Sequence, residues 1–298
     1  MTSDDIPEYL HQDAAVAARF ARLKQRPVAL SVRGLGKRFE SGKGVVTALT
    51  DVGFDVHKRE FMCVIGPSGC GKSTLVRILA GLETPSEGEL RVYDQPVAGP
   101  GPDRGMVFQG YTLFPWLTVK ENVMFGPRVA GRAHLFAESE AREWIELVGL
   151  SKFENSYPHQ LSGGMKQRVA IARALANQPR VLFMDEPFGA LDAQTRANMQ
   201  AYLLEIWKKV DITIVFITHD LDEAVFLADR ILVLDANPGR VREIVEVAVP
   251  RPRTFEQIAD PMFMATRRHI EHLIHPPRQA DTESFPVLRM AVADPDVI

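Results

Sequence analysis

The 298-residue chain contains only two cysteines, Cys63 and Cys70. That count excludes a disulfide framework and a cysteine-built metal site, and it fits a reducing, cytosolic compartment. Long hydrophobic runs are also missing. No stretch reaches the roughly 18 apolar residues of a membrane span, so any membrane role is expected to come through a partner. The N-terminus carries Asp4, Asp5 and Glu8 without an apolar h-region, which argues against a secretory leader. A large excess of charge of one sign is absent: the net charge is −3, which gives no reason to expect nucleic acid as a partner. Internal repeats and heptad runs are lacking as well, which leaves a single unit rather than an array. What remains is ordinary: 46% hydrophobic and 24% charged residues suffice for a sizeable core, in one large α/β domain or two smaller ones.

The most informative stretch is EFMCVIGPSGCGKST, residues 60–74. Its apolar run Phe61 to Ile65 reads as a buried strand, in which Cys63 is a small hydrophobe. The run breaks into a loop of Gly66, Pro67, Ser68, Gly69, Cys70 and Gly71, then opens a helix at Lys72, Ser73 and Thr74. This is G-x-x-x-x-G-K-[ST] in its strand–loop–helix setting, the phosphate-binding loop of nucleoside triphosphate proteins. Glycine permits positive φ and brings successive N–H groups close to phosphate oxygens. The helix N-terminus adds unpaired donors and partial positive charge. Lys72 is placed to reach the β/γ-phosphates and Ser73 to hold Mg²⁺.

Around this loop the pattern alternates. Residues 1–27 form an extension in which Ala14 to Lys24 is expected as a short, solvated and partly frayed helix. VALSVRG, VVTALTDVGFDV and then EFMCVIG read as antiparallel strands leading into the loop strand. Leu75, Ile78, Leu79 and Leu82 recur at helical spacing. Residues 88–97 look like a hairpin and 104–108 like a strand. Residues 110–160 bring prolines, aromatics and helical runs at 119–125 and 136–149, an inserted helical subdomain of about residues 110–176. Strands at 181–185, 212–218 and 230–235 then alternate with helices at 193–209 and 220–228, which predicts a parallel sheet covered on both faces. A last helix is expected over about 254–274. No periodicity appears beyond Pro276-Pro277.

VLFMDE places Asp185 at the end of a buried strand, followed by Glu186. An acidic residue there completes the Mg²⁺ site with the loop serine. The next carboxylate is positioned to orient or deprotonate an attacking water.

LSGGMKQR, Leu161 to Arg168, resembles the signature of ABC-type ATPases. Further motifs fall in that family's order. Gln109 looks like the Q-loop glutamine, Ala190-Leu191-Asp192 the D-loop, and His219, after ITIVFIT, the switch histidine. Phe39 stands where the family has an adenine-stacking aromatic, more often tyrosine. Taken singly, His219 would be a surface histidine and Ser162-Gly163-Gly164 a turn opening a helix with Ser162 as its cap. Together the motifs cover about residues 28–250. The resemblance implies a P-loop (RecA-like) α/β core with an antiparallel β subdomain and an inserted helical subdomain, followed by a C-terminal helix and tail over 251–298. It implies ATP and Mg²⁺ as ligands: the loop residues 66–74, Phe39 and Gln109 on the nucleotide, and Ser73, Gln109 and Asp185 on the metal. Lys72, Gln109, Glu186 and His219 would serve catalysis. Ser162, Gly163 and Gly164 would meet ATP bound to the other subunit of a head-to-tail dimer, and Asp192 is counted among the nucleotide-binding residues.

Among ABC proteins, LFPWLTVKENV, LSGGMKQR and Asn237-Pro238-Gly239-Arg240-Val241 are similar to the nitrate/sulfonate/taurine import group, as is the Arg251-Pro252-Arg253 start of the last helix. That resemblance implies a peripheral subunit on the cytoplasmic face of the membrane, working with permease subunits and, through them, a periplasmic solute-binding protein. Tyr111, Leu113, Phe114, Trp116 and Leu117 are then expected to line a groove for a permease helix. The solute stays open among nitrate, sulfonates, taurine, bicarbonate and pyrimidine precursors. A soluble or exporter-type ABC ATPase is the alternative, and one cassette without heptads argues against the kinds that act on DNA or ribosomes.

Overall fold

The computed structural model describes residues 12–42 and 44–275. The expectations for residues 1–11 and for the tail beyond Pro276 lie outside the described residues. Two sheets organise the rest. Strands β1 (Val28–Ser41) and β2 (Gly44–His57) form a long antiparallel hairpin, and β1 also pairs with β4 (Glu87–Val92), next to the short β5 (Gln95–Pro96). The second sheet has the order β10-β9-β3-β8-β7-β6, built from β3 (Phe61–Ile65), β6 (Arg104–Val107), β7 (Val181–Asp185), β8 (Thr213–Ile217), β9 (Arg230–Asp235) and β10 (Arg240–Glu246). Its pairs are parallel except β9–β10. The strands of this sheet read from the sequence are parallel as expected, and β10, which is not among them, adds an antiparallel edge. RVREIVE carries four charged residues and is only partly buried, which suits an edge strand rather than a buried parallel strand.

The central strands are covered on both sides, which explains their unbroken apolar runs. Phe61, Cys63 and Ile65 of β3 enter one core, and Met62 and Val64 enter the other. The second core also holds the β1–β2 hairpin and helix α2 (Lys72–Leu79). The first holds α5 (Gly163–Leu175), α6 (Ala193–Lys209) and α7 (Leu221–Leu227), together with α3 (Val119–Val129) and α4 (His134–Leu147) of the region read as a helical insertion. Thr118 and Glu121 form a reciprocal capping box at the start of α3, a stop-and-start signal present in the sequence itself. Leu82 falls beyond the end of α2, after Gly81 at φ 76°, and is exposed rather than part of its apolar face.

Two end segments differ from expectation. Helix α1 (Ala14–Lys24) is docked, not frayed: Val16, Phe20 and Leu23 are buried on one face. Asp13 caps it, and Arg19 donates to the carbonyls of Val247 (2.8 Å) and Val249 (3.3 Å). Lys24 and Gln12 both reach Glu246, at 2.6 and 2.8 Å. Three apolar residues gave a weak sequence signal, whereas the docking rests on polar contacts to a strand edge more than 200 residues away. The last helix is broken: residues 255–259 form a 3₁₀ turn, and α8 (Pro261–Ile274) starts afresh with Asp260 as cap and Pro261 at its first position.

Candidate nucleotide site

The phosphate loop joins the C-terminal end of β3 to α2. Gly69 and Gly71 take φ of 78° and 92°, a region that strains any side chain-bearing residue. Gly71 is also the cap of α2 and contributes no side-chain acceptor, so the first N–H groups of the helix face the loop without a competing partner. Lys72 Nζ donates to the carbonyls of Gly66 (2.8 Å) and Pro67 (3.1 Å), which lays the ammonium along the inside of the loop. The loop is packed from outside. A Cβ on Gly66 would meet Leu234 O at 2.6 Å, and one on Gly239 would meet Cys70 O at 2.1 Å. In the sequence Gly239 stands only in a segment similar to the import group; its contact with the loop comes from the 237–239 turn hydrogen-bonding Ala48 and Thr50. Burial raises the Cys70 thiol above its ordinary pKa despite nearby Lys72, which keeps it protonated and inert.

Neighbouring strand ends supply the acids. Asp185 ends β7, next to β8. Its Oδ1 lies 3.4 Å from Ser73 Oγ. Burial, and then the charge of adjacent Glu186, push the Asp185 carboxyl above its usual range. A dication between Asp185 and Ser73 would relieve both effects, so the donor set fits Mg²⁺. Glu186 has φ 44° and its N–H donates to Ile217 O, which turns the chain sharply off the strand. Its Oε2 receives Gln109 Nε2 at 3.5 Å and stands 3.1 Å from His219 Nδ1. Gln109, the adjacent Asp185 and Glu186, and His219, from three distant stretches of the sequence, thus meet at the ends of β6, β7 and β8 beside Ser73. This arrangement can hold a metal-bound triphosphate and a water in line with it.

The other predicted residues lie elsewhere. Phe39, on β1, is 39% exposed with Lys37 Nζ 4.8 Å from its ring centroid. Ser162 caps α5, its Oγ accepting from Met165 N. The adjacent glycines pack on Tyr111 and Leu191 (Gly163) and on Thr195 (Gly164), not on the phosphate loop. Asp192 caps α6 through Thr195 N at 2.9 Å, and those bonds hold its carboxyl below the usual range. Of the aromatic stretch, Trp116 stands clear at 70% exposure, while Tyr111, Leu113, Phe114 and Leu117 are half-buried. Arg173 of α5, which the sequence did not single out, holds this stretch by donating to Thr112 O (2.7 Å), Thr112 Oγ1 and Tyr111 O.

A loop of this geometry, with acids at the end of a parallel strand one removed from the loop strand in the same sheet, defines a P-loop nucleotide-binding protein. The comparisons narrow the class. The ABC transporter family model matches residues 49–189. The chain is 50% identical over 247 residues to an ABC transporter ATP-binding protein of Methanocaldococcus jannaschii, covering 83% of this chain and 91% of the relative. It is 44% identical to the nitrate import ATP-binding protein NrtD of a Synechocystis strain, over 86% of this chain and 98% of that one. It is also 44% identical to the aliphatic sulfonates import ATP-binding protein SsuB of Bacillus cereus, over 76% and 89%. A dimeric ATP-binding cassette solved in a post-hydrolysis state with ADP and Pi superposes with a TM-score of 0.64 at 32% identity, over 76% of this chain and all of that one. The chain belongs to the ABC transporter family, as an ATP-binding ABC ATPase that resembles its nitrate and sulfonate import group.

Proposed function

We propose that this chain is the ATP-hydrolysing subunit of an importer for a small solute of the nitrate/sulfonate/taurine type. The observation that carries the hydrolytic part is the convergence of Gln109 and His219 on Glu186 Oε2, beside the Ser73–Asp185 pair. Loop residues 66–74 cradle the phosphates, Phe39 stacks on the base, and Lys72 offsets charge on the transferred group. Ser73, Asp185 and Gln109 would hold Mg²⁺, which would offset charge on the phosphates. Glu186 polarises the attacking water, and His219 keeps it in line with the γ-phosphate.

Two chains would pair head to tail, with Ser162, Gly163, Gly164 and Asp192 of each completing the site of the other. The capped, side chain-free start of α5 is a helix N-terminus suited to phosphate. ATP then joins the two cassettes, and loss of the γ-phosphate releases them. The residues on either side, α1 and those from Arg251 onward, flank the ATPase domain of residues 28–250.

Coupling to a membrane partner is supported by two adjoining clefts that share Phe125. One, of about 370 Å³, is lined by Trp116, Leu117, Glu121, Arg128 and Val129. The other, of about 410 Å³, includes Phe108, Phe114 and Arg173. Among the described residues no helix is long and apolar enough to cross a membrane, which suits a peripheral subunit on the cytoplasmic face beneath permease subunits. A solute-binding protein would act on it only through them, and the solute class rests on the named relatives. The test is co-purification: tagged Glu186→Gln protein is recovered from detergent-solubilised host membranes with ATP and Mg²⁺. A stoichiometric polytopic partner is expected. Recovery of soluble or nucleic-acid partners alone would sink the importer reading.

A further inference from the structure

Outside the residues that meet nucleotide, a polar bridge ties the Ala190–Asp192 turn to the segment that carries His219. Arg196 stands on the first turn of α6, just after the Asp192 cap. Its Nη2 donates to Leu191 O at 3.1 Å, and its Nη1 lies 3.7 Å from Asp220 Oδ2. Asp220 directly follows His219 and caps α7, its Oδ1 accepting from Glu223 N at 3.0 Å. A second link runs beneath. Glu223 of α7, only 5% exposed, accepts from Gln200 Nε2 of α6 at 2.9 Å. A small cleft lined by Glu186, Gly189, Arg196, His219 and Asp220 joins the bridge to the catalytic carboxylate.

The histidine has little packing of its own, since its side chain is 67% exposed. Its direction is therefore set by its chain neighbours: Thr218, whose Oγ1 accepts from Asp220 N at 3.0 Å, and Asp220 itself. The turn at the other end of the bridge is exposed at Ala190 and Asp192, where a second molecule can press on it. A guanidinium is a rigid planar fork with fixed spacing between its donors. Moving Leu191 O by an ångström or so breaks one arm of the fork or swings the other off Asp220. The buried Gln200–Glu223 bond keeps α6 and α7 in register meanwhile, so movement is concentrated in the turn and at Asp220.

We propose that Arg196 is a positioning residue that makes the approach of His219 to Glu186 depend on the placement of the Ala190–Asp192 turn. The inference rests on the reading of Glu186 and His219 as the hydrolytic pair, and extends it: the Arg196 link affects the rate of hydrolysis rather than the affinity for ATP.

The test is steady-state ATPase kinetics and equilibrium ATP binding on the full-length wild type, Arg196→Ala, Asp220→Asn and the double variant. Asparagine caps helices as well as aspartate, so Asp220→Asn removes the charge and keeps α7. Arg196→Gln, which keeps the packed stem, replaces Arg196→Ala should that variant fail to fold. Each single variant is expected to lose about fivefold in kcat, a modest effect for a partly exposed pair. KM and Kd for ATP should stay within about twofold, and the double variant should be no slower than the singles. Unchanged kcat in the singles, multiplying losses in the double, or a rise in KM that accounts for the loss would each overturn the link. A wild type that binds ATP and never turns it over would overturn the hydrolytic reading, and the link with it.

Discussion

Glu186 concentrates the chemistry of the site in one carboxyl oxygen. Gln109 and His219 both address Oε2, and the positive φ of the residue aims that oxygen away from the strand. Replacing the carboxylate by an amide keeps shape and hydrogen bonding while removing the base. Glu186→Gln is therefore expected to bind ATP within a few-fold of wild type and to lose at least about 100-fold in turnover, measured by phosphate release beside equilibrium binding. Gly239 is a different kind of residue. It touches no substrate, yet a methyl there would sit 2.1 Å from the Cys70 carbonyl. Gly239→Ala is expected to displace the phosphate loop and weaken ATP binding about tenfold or more with the fold retained, seen as a smaller nucleotide-dependent thermal shift and unchanged far-UV dichroism. Loop lysine, serine and glycines were legible because a local pattern carries them. The support from Gly239 was not, because the carbonyl it approaches lies far away in sequence.

At the scale of elements, a buried charge cluster holds the N-terminal helix, the chain after β10 and the end of α7 together. Arg251 Nε pairs with Asp229 Oδ1 at 2.8 Å, while Phe61 N donates to Asp229 Oδ2 at 3.0 Å. Arg253, buried, donates to the carbonyls of Val225, Phe226 and Ala228 at the electronegative end of α7. Burial alone would raise the Asp229 carboxyl, but Arg251, the Phe61 N–H and Arg253 outweigh it and hold it below its ordinary range. The folded pKa is thus lower than the unfolded one, so at acid pH the unfolded chain binds more protons. The stabilisation is complete above the unfolded aspartate range of about pH 4 and is lost as pH falls through the folded value. Asp229→Asn should cost about 3 kcal/mol near neutrality and flatten the acid limb of stability, checked by urea midpoints of both proteins between about pH 3 and 7. Element identity was largely readable from hydrophobic period. The docking of α1 and the antiparallel β10 were not, since both depend on contacts along a strand edge rather than on a strong apolar pattern of their own.

For the whole molecule, the arrangement of motifs on two separate surfaces matters most. The phosphate loop and acids gather at one set of strand ends, while Ser162–Gly164 and Asp192 lie with Tyr111, Leu191 and Thr195. In the proposed head-to-tail pairing, these two surfaces of two copies serve one nucleotide. Glu186→Gln is expected to run as a monomer without nucleotide and as a dimer with ATP and Mg²⁺, measured by light scattering after size exclusion. A monomer under both conditions would leave the two surfaces without a common ligand. The sequence by itself determined the nucleotide class and most of the strands and helices, which follow from local rules: glycine at positive φ, apolar period, and caps at helix starts. The family, and with it Gln109 and His219, came from the resemblance of motifs in order along the chain. Only the tertiary structure decided which residues hold that site in place. Gly239 under the loop, Arg173 on the aromatic stretch, Arg196 between turn and histidine, and the helix docked by Arg19 all act through contacts between distant parts of the chain, and no local pattern encodes such distances.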